Sequence, residues 1–234
     1  MKHKRIRRRG GGRRSATQLA RSTALSRFDH NMADFDRLLE LHTQIGGEGR
    51  GRRYNIEVLN KGAILLLFAS WESYCEDVVS EFLKRLVSRS SDSKQVPAAI
   101  KKYVAKELDG DKNEIAFWRL VGAKWKKELA KFLVELENPR NRAFNTPRAD
   151  IVDDHFDRCL GIRISARWKW TNMTSLQSSN KLKTFIELRG AIAHRQNSGG
   201  PVRRSNVTDY GAFIRRLVTI TDQALVKKFN GSEW

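Results

Sequence analysis

Apolar residues recur at alternating three- and four-residue steps along most of the chain, which is the spacing of one face of an α-helix. The longest such series lies in a helix predicted over about residues 54–87, and it consists of Ile64, Leu67, Trp71, Cys75, Val78 and Phe82. An apolar seam of this length is typical of the central helix of a bundle. The same spacing predicts long helices over about 16–44 and 207–229.

Shorter periodic segments predict accessory helices over about 97–108, 114–137, 150–160 and 178–193. In 114–137 the large apolar side chains are interpreted as packing residues: Trp118, Trp125, Phe132 and Leu136. Glycine- and proline-containing stretches separate the helices, and the sequence has no internal repeat. We therefore expect an all-α fold, with residues 16–234 forming a single helical bundle of long core helices and shorter accessory ones.

The segment GIRISARWKWTNM, residues 161–173, interleaves aromatic and basic residues between two predicted helices. In it, Trp168 and Trp170 bracket Lys169. Such a segment is more often a loop held on the core by its tryptophans. The alternative is an RNA-binding surface, in which the two rings stack on bases and the cations contact phosphates.

Charge is the strongest compositional signal, because the net charge is +19 and the pI is near 10.4. Residues 1–14 hold eight Lys or Arg and no acidic residue, which leaves +11 for the rest of the chain. We expect residues 1–15 to be a disordered basic tail, either an arm that contacts phosphates or a solubilising extension without a target. The basic body indicates nucleic acid as the partner.

Other function classes find little support in the sequence. The longest apolar run, residues 63–69, is too short to span a bilayer, and the N-terminus lacks the hydrophobic core of a signal peptide. The two cysteines, Cys75 and Cys159, are far apart and suggest neither a disulfide framework nor a zinc site. We therefore expect a cytoplasmic protein without membrane contact, metal or cofactor.

An arginine interrupts the apolar face of the predicted helix over 178–193. Arg189 lies at helical spacing among five apolar residues, Leu182, Phe185, Ile186, Ile192 and Ala193. A guanidinium on a helix face that packs against the core needs an anion, which is either a structural carboxylate or a ligand phosphate. His194 follows five residues later and titrates nearest neutral pH, so Arg189 and His194 are the candidate catalytic pair.

Two other histidines also lie near an arginine, but in contexts that favour structural roles. His42 belongs to the apolar stripe of the first helix and is interpreted as a core or boundary residue. His155 follows an aspartate-rich stretch, which would neutralise a nearby cation. Only the pair at 189 and 194 combines a buried-face arginine with a helix end just beyond the histidine.

Several residues around the pair are supporting candidates. Gly190 provides a small surface beside it, and basic residues that could bind RNA flank it: Lys181, Lys183, Arg195, Arg203 and Arg204. Glu72, on the long helix, could hold Arg189 by a salt bridge if the two helices pack together. The alternative for Glu72 is a solvent-facing side chain with Glu76 one turn on.

These residues together resemble a known family. A late helix that closes with RGAIAHR resembles the HEPN superfamily, and the segments FASWESYCEDVV, FNTP, LGI, WKW and KLKTFIELRGAIAHR, in this order, resemble its RiboL-PSP-HEPN branch over about residues 20–228. The resemblance implies a metal-independent endoribonuclease that leaves 2′,3′-cyclic phosphate and 5′-hydroxyl ends. It implies a homodimer with Arg189 and His194 in the cleft between protomers, in a toxin or phage-defence setting with a possible cognate antitoxin or defence partner.

Gly190 departs from the pattern of that superfamily, in which a polar residue, commonly Asn, often follows the arginine. Some members keep the fold without activity. The alternative function is therefore a catalytically inactive helical module that dimerises and binds nucleic acid or has a regulatory role. In that case Arg189 would be a structural ion-pair partner.

Overall fold

The computed structural model describes residues 21–46, 56–113, 115–137, 146–194 and 201–230, so that the predicted tail and Arg195 lie outside the described residues. The described part confirms the all-α prediction, with no strand beyond an isolated bridge between Trp170 and Met173. Its α-helices are α1 Thr23–Gly46, α2 Glu57–Arg89, α3 Ala98–Asp109, α4 Trp125–Glu137, α5 Ala149–Leu160, α6 Ser175–Ala193 and α7 Arg204–Asn230. Among these helices, none has both the length and the apolar composition needed to cross a bilayer.

Helix α2 is the centre of the bundle. It contacts α1, α4, α5, α6 and α7, and the predicted apolar seam is fully buried along it. Burial on several sides explains why α2 is the most apolar helix of the chain, since each neighbour removes a further strip of its surface from water. The functional elements described below are therefore positioned against one continuous core helix.

A carboxylate of α2 fixes the start of α1. Glu81 accepts hydrogen bonds from the backbone N–H groups of Thr23, at 3.0 Å, and Ala24, at 2.8 Å. These donors have no partner within α1, and a negative charge at a helix N-terminus is favourable. Arg85 forms a salt bridge with Glu81 from one turn further along α2. His42, near the other end of α1, is buried as predicted.

The segment predicted as one helix over 114–137 is divided in the structure. It forms 3-10 turns at Ala116–Leu120 and Gly122–Lys124, and α4 begins only at Trp125. Between the two turns the backbone of Val121 is extended, and Gly122, which begins the second turn, has the left-handed φ of +67°. Trp125 and Phe132 are buried as predicted, but Trp118 is 70% exposed and the prediction that it packs in the core is wrong. The side chain of Leu136 lies outside the described residues.

Helix α7 approaches α1 closely at a glycine. A Cβ atom placed on Gly211 would lie 2.6 Å from Cζ of Phe35, which is itself 2% exposed and cannot move into solvent. At Gly62 of α2, by contrast, an added Cβ would meet only Leu38, at an ordinary 3.6 Å. Gly211 is therefore required by packing, whereas Gly62 is not.

We expect the substitution Gly211→Ala to lower the free energy of unfolding by about 1–3 kcal/mol, because the methyl group overpacks the contact with Phe35. The matched control is Gly62→Ala, which should leave stability unchanged or raise it by up to about 1 kcal/mol through helix propensity. Urea denaturation followed by circular dichroism measures both. Equal stability of the two variants would contradict the close approach of α1 and α7.

Candidate functional site

Helix α6 carries the candidate pair and lies against α2. It starts at a capping box, in which the side chain of Thr174 accepts a hydrogen bond from the N–H of Gln177 and the side chain of Gln177 accepts one in return from the N–H of Thr174. Its buried face includes Phe185, whose ring centroid lies 6.3 Å from that of Phe68 on α2. The apolar face predicted for this helix therefore faces the central helix of the bundle.

Arg189 extends from this face onto an aromatic ring. Its guanidinium carbon lies 4.2 Å from the centroid of Phe68, and the side chain is partly buried. Its Nε is buried and donates no hydrogen bond to any described residue. A guanidinium stacked on an aromatic face gains cation–π attraction, and this contact uses none of its N–H donors.

Glu72 lies one helical turn beyond Phe68 and is partly buried. Burial raises the pKa of its carboxyl group, as does the charge of Glu76, whereas the positive charge of Arg189 and a hydrogen bond from the backbone of Thr146 lower it. The carboxylate is therefore close enough to Arg189 to interact with it electrostatically, although no salt bridge joins them in the described part of the chain. Glu72 is thus neither fully solvent-facing nor joined to Arg189 by a salt bridge among the described residues, and its role in holding Arg189 stays a prediction.

His194 lies at the end of α6 and in a different environment. The helix ends at Ala193, and His194 is its C-terminal capping residue, with its N–H bonded to the backbone oxygens of Gly190 and Ile192. The imidazole is exposed and makes no hydrogen bond to the described residues. Arg189 thus lies against α2 while His194 is exposed, and no hydrogen bond between described residues joins the two side chains.

The sequence matches the family described as RiboL-PSP-HEPN over residues 28–227, which covers all of α2 to α6 and most of α1 and α7. The chain belongs to the RiboL-PSP-HEPN family. This confirms the resemblance inferred from its sequence segments. Comparison with the curated proteins and with the solved structures gives no match.

In this RiboL-PSP-HEPN chain, packing does not require a glycine at position 190, directly after Arg189. A Cβ atom at Gly190 would meet nothing within 4 Å, although the residue lies inside α6. Glycine inside a helix costs about 1 kcal/mol relative to alanine, so its presence has no stabilising explanation within one chain. The surface beside Arg189 and before His194 is accordingly open to close approach.

The side chains predicted to bind RNA through their positive charge differ in whether a carboxylate already pairs with them. Lys181 forms a salt bridge with Asp209 at 2.7 Å and lies over the ring of Phe213, so its charge is already compensated. Lys183 is exposed and 3.9 Å from Glu187. Arg203 and Arg204 are exposed and form no salt bridge with the described residues. Arg203 and Arg204 thus have no carboxylate partner among the described residues, and Lys183 has only the long, exposed salt bridge with Glu187.

The two tryptophans of the RiboL-PSP-HEPN chain's 161–173 segment hold it on the core. Trp168 is fully buried, donates a hydrogen bond from Nε1 to Oγ1 of Thr221 at 2.9 Å, and packs edge-on against Trp71. The prediction that Trp168 stacks on RNA is wrong, because no base can reach its ring. Trp170 is partly buried with its ring 6.1 Å from that of Phe213, so it also serves packing. The loop-anchoring interpretation is the correct one.

Phe68, the aromatic partner of Arg189, was not among the site residues predicted from the sequence. Its signal was its position one turn before Glu72 on the helix proposed to pack against the motif helix. No group of three or more His, Cys, Asp or Glu suited to a metal ion occurs among the described residues. His155 belongs to no such group among the described residues. Its burial, together with the charge of Arg158, lowers the pKa of its imidazole to about 4.

We expect Arg189→Met to leave the free energy of unfolding within about 1 kcal/mol of the wild type or to raise it, because the substitution removes a partly buried charge that has no salt bridge. The matched control is Arg85→Met. Arg85 also lies over an aromatic ring, that of Phe82, but it pairs with Glu81, so its loss should cost about 1–2 kcal/mol. Thermal and urea unfolding measure both variants.

If Arg189 is a structural ion-pair partner, Arg189→Met should instead lose at least as much stability as Arg85→Met. That outcome would contradict the conclusion that the donors of Arg189 are kept free for a ligand.

Proposed function

We propose that this protein is a metal-independent endoribonuclease, in which Arg189 binds the scissile phosphate and His194 transfers protons. One observation carries the proposal: the guanidinium of Arg189 is held on Phe68 beside Glu72, yet it donates no hydrogen bond to a described residue. An oriented arginine with free donors fits two oxygens of a phosphate in a bidentate manner, which a lysine does not.

The chemistry uses the nucleophile that RNA carries. His194, as general base, takes the proton of the 2′-hydroxyl, whose oxygen attacks the adjacent phosphorus while the bond from phosphorus to the 5′-oxygen breaks. The leaving oxygen receives a proton from a general acid, and the products are a 2′,3′-cyclic phosphate and a 5′-hydroxyl. Arg189 stabilises the additional negative charge of the pentacovalent transition state.

We propose that the active unit is a homodimer, because Arg189 and His194 are five residues apart, which corresponds to about 140° around an ideal helix, and no hydrogen bond between described residues joins them. An exposed apolar stripe runs along α2 through Val58, Leu65 and Ala69, which lie within about 40° of one another around the helix. Glu72 and Glu76 continue the same face toward Arg189. A second copy seated on this stripe and on the open surface at Gly190 would bring two arginines and two histidines around one phosphate.

The basic residues supply the rest of the RNA interaction in this proposal. Lys183, Arg203 and Arg204 are, among the described residues, the exposed cations nearest in sequence to the pair, and Arg195 directly follows it. The basic residues of 1–15 add phosphate contacts without sequence preference. A toxin or phage-defence role in the cytoplasm, with a cognate antitoxin or defence partner, is the setting that the family membership suggests.

The second candidate function is an inactive dimerising module that binds nucleic acid. The observation that favours it is Gly190, since no polar side chain stands at this position to assist Arg189. Both functions predict RNA binding, and only the first predicts cleavage.

We expect the purified protein to cleave single-stranded RNA in the presence of EDTA and to leave cyclic phosphate ends, identified by mass spectrometry of the fragments. His194→Ala should reduce the cleavage rate by about a hundredfold or more, the usual contribution of general acid–base catalysis. The matched control is His30→Ala, which removes an exposed histidine from α1 and should leave the rate unchanged.

A strict requirement for added divalent metal would contradict this mechanism, as would full activity of the His194→Ala protein. RNA binding by a wild type that never cleaves would instead support the inactive module.

The proposed dimer makes activity depend on association. Specific activity should fall on dilution, in parallel with the mass measured by sedimentation velocity. Leu65→Glu places a charge in the apolar stripe, so the dependence of specific activity on protein concentration and that of the sedimenting mass should both shift to higher concentration. Leu176→Glu, at a 70% exposed position on α6 outside that stripe, is the control and should shift neither. A monomer with full turnover would disprove the shared site.

A further inference from the structure

An apolar groove lies between α3, α4 and the 3-10 turns that flank them. Its cavity measures about 390 Å³, and its walls are mainly apolar, formed by Val96, Val104, Ala105, Leu120, Trp125 and Leu129. This volume accommodates one or two large side chains or a small ligand. None of its lining residues belongs to the Arg189 site, so the groove is a separate feature of the molecule.

Large apolar side chains are exposed next to this groove. The segment 115–121, which contributes Leu120 to the groove, leaves Ile115, Phe117, Trp118 and Val121 between 45% and 70% exposed. Four such residues in seven positions are costly to leave in water, and a cluster of this kind marks an interaction surface. Tryptophan beside a pocket is also the side chain most often found at the energetic centre of protein interfaces.

The charge around the groove is positive and uncompensated. Lys101 lines it, Lys126 lies over the ring of Trp125 at 5.6 Å, and Lys124 precedes Trp125 in sequence. None of these three forms a salt bridge with the described residues. Neighbouring charges are paired, by contrast: Arg119 with Asp111, and Lys131 with Glu128. The groove therefore offers free ammonium groups at an apolar surface.

We propose that this groove and the exposed segment 115–121 bind an acidic amphipathic helix of a partner protein. The apolar face of such a helix would insert a side chain into the cavity and cover Trp118, and its carboxylates would pair with Lys101, Lys124 and Lys126. A small ligand would fill the cavity but leave Trp118 and Phe117 in water. A membrane surface would make no use of a concave pocket.

The test uses the full chain and a fluorescein-labelled synthetic helix of about 18 residues, with Leu and Trp at i, i+3, i+4 and i+7 and Glu elsewhere. Fluorescence anisotropy measures its binding. A peptide with Lys in place of every Glu is the charge control, and vesicles of phosphatidylserine and phosphatidylcholine are the membrane control. Sedimentation velocity reports whether a second copy covers the surface.

We expect the acidic peptide to bind the wild type saturably. Its affinity should be at least about tenfold weaker for Trp118→Ala, which removes the exposed ring, and for Ala105→Phe, which fills the groove. Leu176→Ala, at a position as exposed as Trp118, should change the affinity by less than about twofold. Lys101→Glu should weaken binding more than Lys227→Glu, which makes the same change of net charge on α7. Melting curves confirm that the variants are folded.

The proposal is overturned if the acidic peptide does not bind, if the Lys peptide binds equally well, or if Ala105→Phe binds as the wild type does. Trp118-dependent binding to the vesicles without peptide binding would assign the surface to a membrane. Loss of self-association in Trp118→Ala would assign it to a second copy.

Discussion

The contact between the Arg189 guanidinium and the Phe68 ring is the interaction on which this account of the molecule depends. It keeps a permanent charge at the junction of α2 and α6 without a salt bridge from the described residues. Holding a charge there costs stability, and the chain offsets the cost with the face of an aromatic ring and the field of Glu72. Because α2 is buried on several sides, Phe68 and Glu72 are fixed, and so is the arginine they support.

Helix positions were predictable because apolar spacing is a local signal, and Arg189 was predictable because a charge within such a spacing is a local anomaly. Phe68 was not, since its pairing with Arg189 joins residues more than a hundred positions apart. Nor does sequence distinguish Trp168, which is buried, from Trp118, which is exposed, because burial depends on which helices pack together. Gly122 breaks a helical pattern through a backbone angle that its neighbours do not encode.

Arg189 and Trp118 are two departures from what folding alone requires. Arg189 places a charge on an inward-facing helix surface, and Trp118 leaves a large ring in water. The two residues belong to different surfaces: Arg189 lies between α2 and α6, and Trp118 lies beside the groove between α3 and α4. Such violations of packing rules are found where a protein meets other molecules. The first suits the phosphate of RNA, and the second suits an apolar side chain of a protein, so that substrate and partner need not compete for one surface.

The most direct test of the central claim is the Nε–Hε signal of Arg189 in an NMR titration with RNA carrying 2′-deoxyribose at every position of cleavage. The signal is assigned by its loss in Arg189→Lys. Because its Nε is buried and unpaired, the account predicts a signal protected from exchange with water that shifts downfield and saturates as RNA is added. An Arg189 signal that stays fixed while signals of other arginines move would contradict the account.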